Sequence, residues 1–238
     1  MRQLESKTPL IDADGIVYRA GFICKDDEPI GNHIHAVRKT MESILATFPE
    51  RKGFKAYLTG KFNFRDQLAT ILPYKGTRPD RKPKYYQEIR QYLVEWFDAE
   101  VIDGMEADDA ITMAQWAATD KSTCIVTQDK DLKMCPGWHY NWVKKEGFWV
   151  SPAEANTMLF KQMLEGDRSD NIPGITGIGP AKVHKILDEL GNDPVRWRSR
   201  VEQEYKRQYG ANWQVAFDEV ASLLWMLRTP TTTWKDFV

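Results

Sequence analysis

PLIDADG, residues 9–15, is the stretch on which the fold turns. Its apolar start reads as a short buried strand ending in the acid Asp12, and Gly15 follows as a turn or helix-entry residue. Residues 100–102 and 123–127 read as further strands, followed by Asp103 and Asp129, and residues 54–59 as another. Helical patterns lie between them. Ile34, Val37, Met41, Ile44, Leu45 and Phe48 recur at close to 3.6 residues and predict an amphipathic helix. Strands separated by helices predict an α/β fold with a mostly parallel central sheet flanked by helices. In such a sheet functional residues gather at the carboxyl ends of strands.

From residue 151 the pattern turns helical. SPAEANTMLFKQML carries a Ser-Pro entry, and Trp213, Phe217, Val220, Leu224 and Leu227 mark a later stripe. The expected organisation is an α/β core over residues 1–150 and a helical region over residues 151–238. Trp197, Trp213, Trp225 and Trp234 are assigned to packing of that helical region, because aromatic residues on helices are more often core than stacking surfaces.

With 238 residues, 42% of them hydrophobic and 28% charged, the chain has the composition of a folded globular protein rather than a disordered one. No apolar run approaches the ~18 residues that span a bilayer, and the N-terminus has no apolar stretch resembling a signal peptide. A cytoplasmic location, that of the host if the source is viral, is expected, with no membrane partner. Cys24, Cys124 and Cys135 are odd in number and lack paired metal-ligand spacing, so reduced core or near-core thiols are expected. The four histidines are scattered, and no Ser/His/Asp or Cys/His arrangement is visible.

The net charge of −1 hides a segregation. Residues 61–90 hold eight Lys and Arg against three acids, whereas residues 98–131 hold nine acids against two lysines. A basic segment followed by an acidic one suits a metal-dependent enzyme acting on a polyanion, and also suits two solvated faces. Within the basic segment, residues 73–85 read PYKGTRPDRKPKY, whose prolines exclude a continuous helix. A mobile, electropositive loop or arch is expected at about residues 73–90.

GMEADDAITMAQWAA, residues 104–118, opens a helix with Glu106, Asp108 and Asp109 in its first turn. Acids there favour the helix dipole, so capping alone is one reading. Asp129 and Asp131 after a strand, Asp167 and Asp170 in GDRSDN, and Asp12 add a second reading, a metal site. Brought together, these eight carboxylates would repel one another unless cations neutralised them. Oxygen-only donors favour hard Mg²⁺ or Mn²⁺ over zinc. Two such ions ~3.5–4 Å apart can activate a water and stabilise both oxygens of an in-line displacement at a phosphodiester.

LIDADGIVYRA, FRDQLATILPYKGTR, GMEADDA, TQDKDL and GDRSDNIPGITGIGPAK occur in that order. Together they resemble the flap endonuclease and 5′-3′ exonuclease family, especially the free-standing bacteriophage enzymes and the 5′ nuclease domain of bacterial DNA polymerase I. The resemblance covers residues 9–187 and implies a PIN-like 5′ nuclease fold. The implied activity is that of a structure-specific, metal-dependent nuclease of replication or repair, cutting DNA near 5′ ends, flaps or junctions. It implies that Asp12, Glu106, Asp108, Asp109, Asp129, Asp131, Asp167 and Asp170 are metal-site acids, with Mg²⁺ as cofactor and Mn²⁺ as a substitute. Asp12 and Asp129 would be catalytic with Lys75 and Arg78, which would polarise the scissile phosphate. Tyr74 would stack a terminal base, and Arg65 would be a further phosphate contact or a structural salt bridge.

NIPGITGIGPAKVHKIL resembles the family's helix-three-turn-helix, expected at about residues 167–190. Gly177 and Gly179 would let the backbone approach a phosphate, a helix starting near Pro180 would offer free N–H groups, and Lys182 would add charge. The resemblance also implies a K⁺ ion on backbone carbonyls there. The DAD sequence departs from the family's Asp-Gly, leaving Asp14 as an added ligand, a helix cap, or a residue with no role. No polymerase domain follows, so a stand-alone, monomeric nuclease is expected. The alternatives are a catalytically inactive DNA-junction binding protein and ribonuclease H-like removal of RNA 5′ strands.

Overall fold

The protein is described by a computed structural model over residues 2–25, 27–79 and 81–236. The chain runs β1 (Thr8–Asp12), α1 (Ala13–Ile23), α2 (Ile30–Ala46), β2 (Lys55–Asn63), α3 (Phe64–Leu68), α4 (Tyr86–Phe97), β3 (Glu100–Gly104) and α5 (Ala107–Ala117). It continues through β4 (Thr123–Val126), β5 (Gly137–Asn141), β6 (Glu146–Val150), α6 (Pro152–Glu165), α7 (Pro180–Leu190), α8 (Pro194–Tyr209) and α9 (Trp213–Leu224). The strands form one sheet in the order β3-β2-β1-β4-β5-β6, parallel except for β5–β6.

β1 and β4 lie at the centre, buried on both faces, which is why they read as continuous apolar runs. Alternate residues serve opposite layers. Ile11, Ala56, Leu58 and Val126 pack with Val17, Val37, Met41 and Ile89 of α1, α2 and α4. Leu10, Tyr57 and Ile125 pack with Ala107, Ala110 and Ile111 of α5. Parallel β1 and β4 are in register from Thr8↔Thr123 to Ile11↔Val126, so Asp12 and the residues after Val126 emerge at one end of the sheet.

α6, α8 and α9 enclose a second core built on Phe160, Trp197, Tyr205 and Phe217, with Trp225 and Trp234 buried and Trp213 packed at its margin. The tryptophans therefore pack, as expected. The Ser-Pro entry of α6 is a capping box: Ser151 Oγ accepts the Glu154 N–H at 3.2 Å and the Glu154 carboxylate accepts the Ser151 N–H at 2.8 Å. This core also takes in Tyr74 and Met134, so the two regions share buried side chains. Cys124 and Cys135 are buried thiols and Cys24 is half-buried, all three free.

The hairpin of β5 and β6 was not anticipated. Its turn lacks an Asn-Gly or Asp-Gly signal; Asn141 instead accepts the Val143 and Lys144 N–H groups at 3.1 and 2.9 Å. The described part of residues 73–85 is turns and irregular chain, and α4 begins only at Tyr86. Asp80 of that segment lies outside the described residues.

Candidate active site

Four chain segments deliver carboxylates to the carboxyl end of the sheet. Asp12 closes β1 and caps α1, Oδ1 accepting the Gly15 N–H at 3.1 Å, while Oδ2 accepts the Thr127 hydroxyl at 2.8 Å. The Thr127 hydroxyl in turn accepts the Asp129 N–H at 2.9 Å, and Asp129 accepts the Asp131 N–H at 2.9 Å. The turn after β4 is therefore fixed by the very residues that supply the acids. Glu106 and Asp108 open α5, and Asp170 comes from the loop after α6.

These acids line one cavity of about 690 Å³: Asp12, Asp14, Glu106, Asp108, Asp129, Asp131 and Asp170 face it, against the cations Lys75, Arg78 and Lys130. Seven carboxylates against three cations leave an excess of negative charge, and the acids respond to it. Burial, then neighbouring Asp14, pushes Asp12 up to about 6. Burial, then Asp129 and Asp167, pushes Asp131 up to about 7. Asp108 is raised well above the usual carboxylate range by burial and then by Asp12, Asp129 and Glu106.

Lys75 and Arg78 reach the cavity from the basic segment. Lys75 Nζ donates to Glu106 and lies 4.0 Å from Asp170, and Arg78 pairs with Asp170 and donates to the Ser169 carbonyl at 2.9 Å. Among the described residues no three acids, histidines or cysteines stand close enough to share an ion as they are. The donor set nonetheless fits hard divalent cations: it is all oxygen, it is undercompensated, and its members raise one another's proton affinity.

Two of the expected site residues face away from the cavity, Arg65 in the salt-bridge alternative of its reading. Asp109 is 0% exposed and Arg65 1% exposed, joined by two hydrogen bonds of 2.5 and 2.9 Å. Arg65 also donates to the Leu223 and Trp225 carbonyls at 2.9 and 2.6 Å, and Asp109 accepts the Leu227 N–H at 3.0 Å. Burial works against the Arg65 charge, but Asp109 outweighs it and holds the guanidinium protonated. Asp109 and Arg65 thus spend their polar atoms on each other and on the backbone, and neither lines the cavity. The pair ties α3 and α5 to the chain beyond α9.

Tyr74 is buried as well. Its residue is 9% exposed and packs in the helical core, with Lys75 Nζ 5.0 Å from the ring centroid. Its hydroxyl lies 2.8 Å from Asp170 and 3.1 Å from Glu106, bracing those acids, and burial followed by their charge pushes its pKa upward. Asp167 sits behind the cavity wall, its carboxylate accepting the Ser169 and Asp170 N–H groups at 2.7 and 3.2 Å.

Gly177, Gly179 and Lys182 stand apart from the cavity. Gly177 has φ +75°, a conformation that favours glycine, and Gly179 is the N-cap of α7. Lys182 is exposed in the first turn of that helix.

The cavity also takes Tyr18, Tyr86, Gln128 and Lys130, which the sequence reading did not single out. A signal for one of them was present, since Tyr18 stands four residues after Asp14 on α1 and shares its face.

Residues 7–158 match the family model for the 5′-3′ exonuclease N-terminal resolvase-like domain. The chain belongs to this 5′-3′ exonuclease family. The family member described here is 29% identical over 211 residues to DNA polymerase I of Geobacillus stearothermophilus, a match covering 79% of this chain and 24% of that protein. It is 26% identical over 212 residues to a 5′-3′ exonuclease of Buchnera aphidicola, covering 78% of this chain and 72% of that one. The exonuclease-family chain thus spans about a quarter of the length of the DNA polymerase I relatives it matches.

Its fold is that of bacteriophage T5 5′-exonuclease with bound zinc, at TM-score 0.67 and 18% identity, covering 92% of this chain and 89% of that one. It is also that of the T5 D15 flap endonuclease in a pseudo-enzyme–product complex with DNA and metal ions. There the TM-score is 0.66 at 16% identity, covering 97% of this chain and 96% of that one.

Proposed function

We propose that this chain is a metal-dependent, structure-specific 5′ nuclease that hydrolyses DNA phosphodiester bonds near 5′ ends, flaps or junctions. The carrying observation is the single cavity in which Asp12, Asp108, Asp129 and Asp131 meet Lys75 and Arg78. Divalent ions, when bound, supply an activated water and charge stabilisation for both oxygens of the displacement. Asp12, Glu106, Asp108, Asp129 and Asp131 would hold them, with Asp170 and, behind it, Asp167 completing the set. Mg²⁺ or Mn²⁺ is the expected class, since every donor is a hard oxygen.

The chain's own contribution is positional and electrostatic. Lys75 and Arg78 stand on Glu106 and Asp170 at the cavity mouth, where they would contact the scissile phosphate and polarise it. Asp12 and Asp129 are joined through the Thr127 hydroxyl, which fixes their spacing. The α7 N-terminus with Gly177, Gly179 and Lys182 would hold duplex phosphates away from the cut, with a K⁺ ion on the neighbouring carbonyls. Such contacts read backbone and shape in preference to base sequence.

The test uses a 5′-labelled flap and a nicked duplex, each with a DNA or an RNA 5′ strand, with Mg²⁺ or with chelator. Metal-dependent short 5′ products from the DNA substrates support the proposal. Products only from RNA 5′ strands move it to the ribonuclease reading, and no products with any substrate overturn it.

A further inference from the structure

β1 ends at Asp12, opposite Tyr57, two residues short of Thr59 on the neighbouring β2. Side chains take over the ladder where the strand stops. Asp14 accepts the Thr59 N–H at 2.8 Å, and Arg90 of α4 donates to the Thr59 carbonyl at 2.7 Å. The two side chains also pair with each other, Arg90 Nη1 to Asp14 Oδ1 at 2.9 Å. Both Asp14 oxygens are thereby engaged, although the residue lines the acid cavity.

The path continues to the acids. The Thr59 hydroxyl accepts the N–H of Ala107 at 3.0 Å, and Ala107 is the residue between Glu106 and Asp108. Arg90 reaches the other way as well, its guanidinium 5.5 Å from the ring centroid of Tyr86, which lines the cavity at the end of the basic segment.

We infer that Arg90 and Asp14 are positioning residues, which clamp Thr59 and through it set the first turn of α5 so that Glu106 and Asp108 face Asp12. Asp14, on this account, is a brace and not a metal ligand. The inference rests on the nuclease reading for its catalytic consequence, but its structural content concerns the acids alone. Partners lying behind metal ligands commonly change metal affinity or activity by 10–100-fold when removed.

The experiment compares Arg90→Gln, Asp14→Asn, the double variant and Thr59→Val in the full chain. Three quantities are read: Mn²⁺ binding by calorimetry without DNA, kcat and KM on the 5′ flap, and the thermal midpoint. Each single variant is expected to weaken Mn²⁺ binding and lower kcat by roughly tenfold, with KM for DNA within about twofold. The double variant is expected to be no worse than the weaker single one, because the residues act as one unit. Thr59→Val, which keeps the backbone and loses only the hydroxyl acceptor, is expected to reproduce the Mn²⁺ effect.

Mn²⁺ binding at the wild-type level in all variants overturns the inference. So does a collapse of binding in Asp14→Asn with none in Arg90→Gln, which would make Asp14 a ligand. Losses that merely follow the midpoint down overturn it too. A wild-type chain that binds Mn²⁺ yet cuts no substrate defeats the nuclease reading instead, and the Mn²⁺ titrations still judge the clamp.

Discussion

Asp108 and Asp109 are adjacent on α5, yet the cavity before the helix and the ion pair behind it treat their carboxylates in opposite ways. Successive helical residues point about 100° apart, so one faces the acid cavity and the other the seam with α3 and the chain after α9. Behind the helix, Asp109 and Arg65 are matched in charge and every polar atom finds a partner. In front, carboxylates outnumber cations and hold protons above their usual range. The seam is built for rigidity, whereas the cavity keeps a charge that only added cations can satisfy.

The largest effect is expected in the seam. Arg65→Ala leaves Asp109 buried and unpaired, which costs about 3–5 kcal/mol. Chemical denaturation should show that loss directly, and an unchanged midpoint would mean that the pair is not the structural element described. The corresponding change at the cavity mouth is next: Lys75→Ala should leave stability nearly intact and lower single-turnover cleavage by about 10²–10³. Equal damage to stability in both variants would erase the distinction between the regions.

The pH response sharpens the same contrast. Asp12 and Asp131 are raised in the folded state, to about 6 and about 7, from a usual value of 3.8. The folded chain therefore binds more protons between about pH 4 and 7, and the cavity's contribution to stability falls as pH rises through that window. Mg²⁺ at 100 times its Kd should raise the thermal midpoint by about 5–10 °C at pH 7.5, where the acids are charged. The gain should shrink markedly at pH 5, and a larger gain at pH 5 would reverse the sign required here.

The smallest effect belongs to α7. Lys182→Ala should weaken DNA binding severalfold and reduce the slope of log affinity against log salt by about one, as for one lost phosphate contact. Cleavage at saturating DNA should not change.

Much of the α/β core was legible because β1 and β4 are short apolar runs, the first ending in Asp12 and the second followed closely by Asp129, a pattern carried by neighbouring residues. β5 and β6 were not, since their hairpin is closed by the Asn141 side chain rather than a glycine turn. The acids of the cavity could be named from their motifs, but Asp109 could not be separated from Asp108. Its partner Arg65 lies 44 residues away, and only the packed structure decides which of two neighbouring carboxylates meets it. The burial of Tyr74 was hidden for a related reason: motif position says nothing of how a ring packs, and here it joins the helical core. Arg90 was invisible because its contact with Asp14 spans 76 residues and three elements.

Asp108 faces the proposed metal site, and its neighbour Asp109 faces Arg65. The direct measurement is cleavage of a 5′-labelled flap by wild-type chain and by Asp108→Asn, at saturating Mg²⁺ and with chelator, alongside DNA affinity and thermal midpoint. Wild-type protein should release short 5′ fragments only with Mg²⁺. Asp108→Asn should lose more than about 100-fold in rate, beyond the range for an outer partner, while keeping its fold and DNA binding. Cleavage that survives the chelator, or an Asp108→Asn variant that cuts like wild type, would contradict the account.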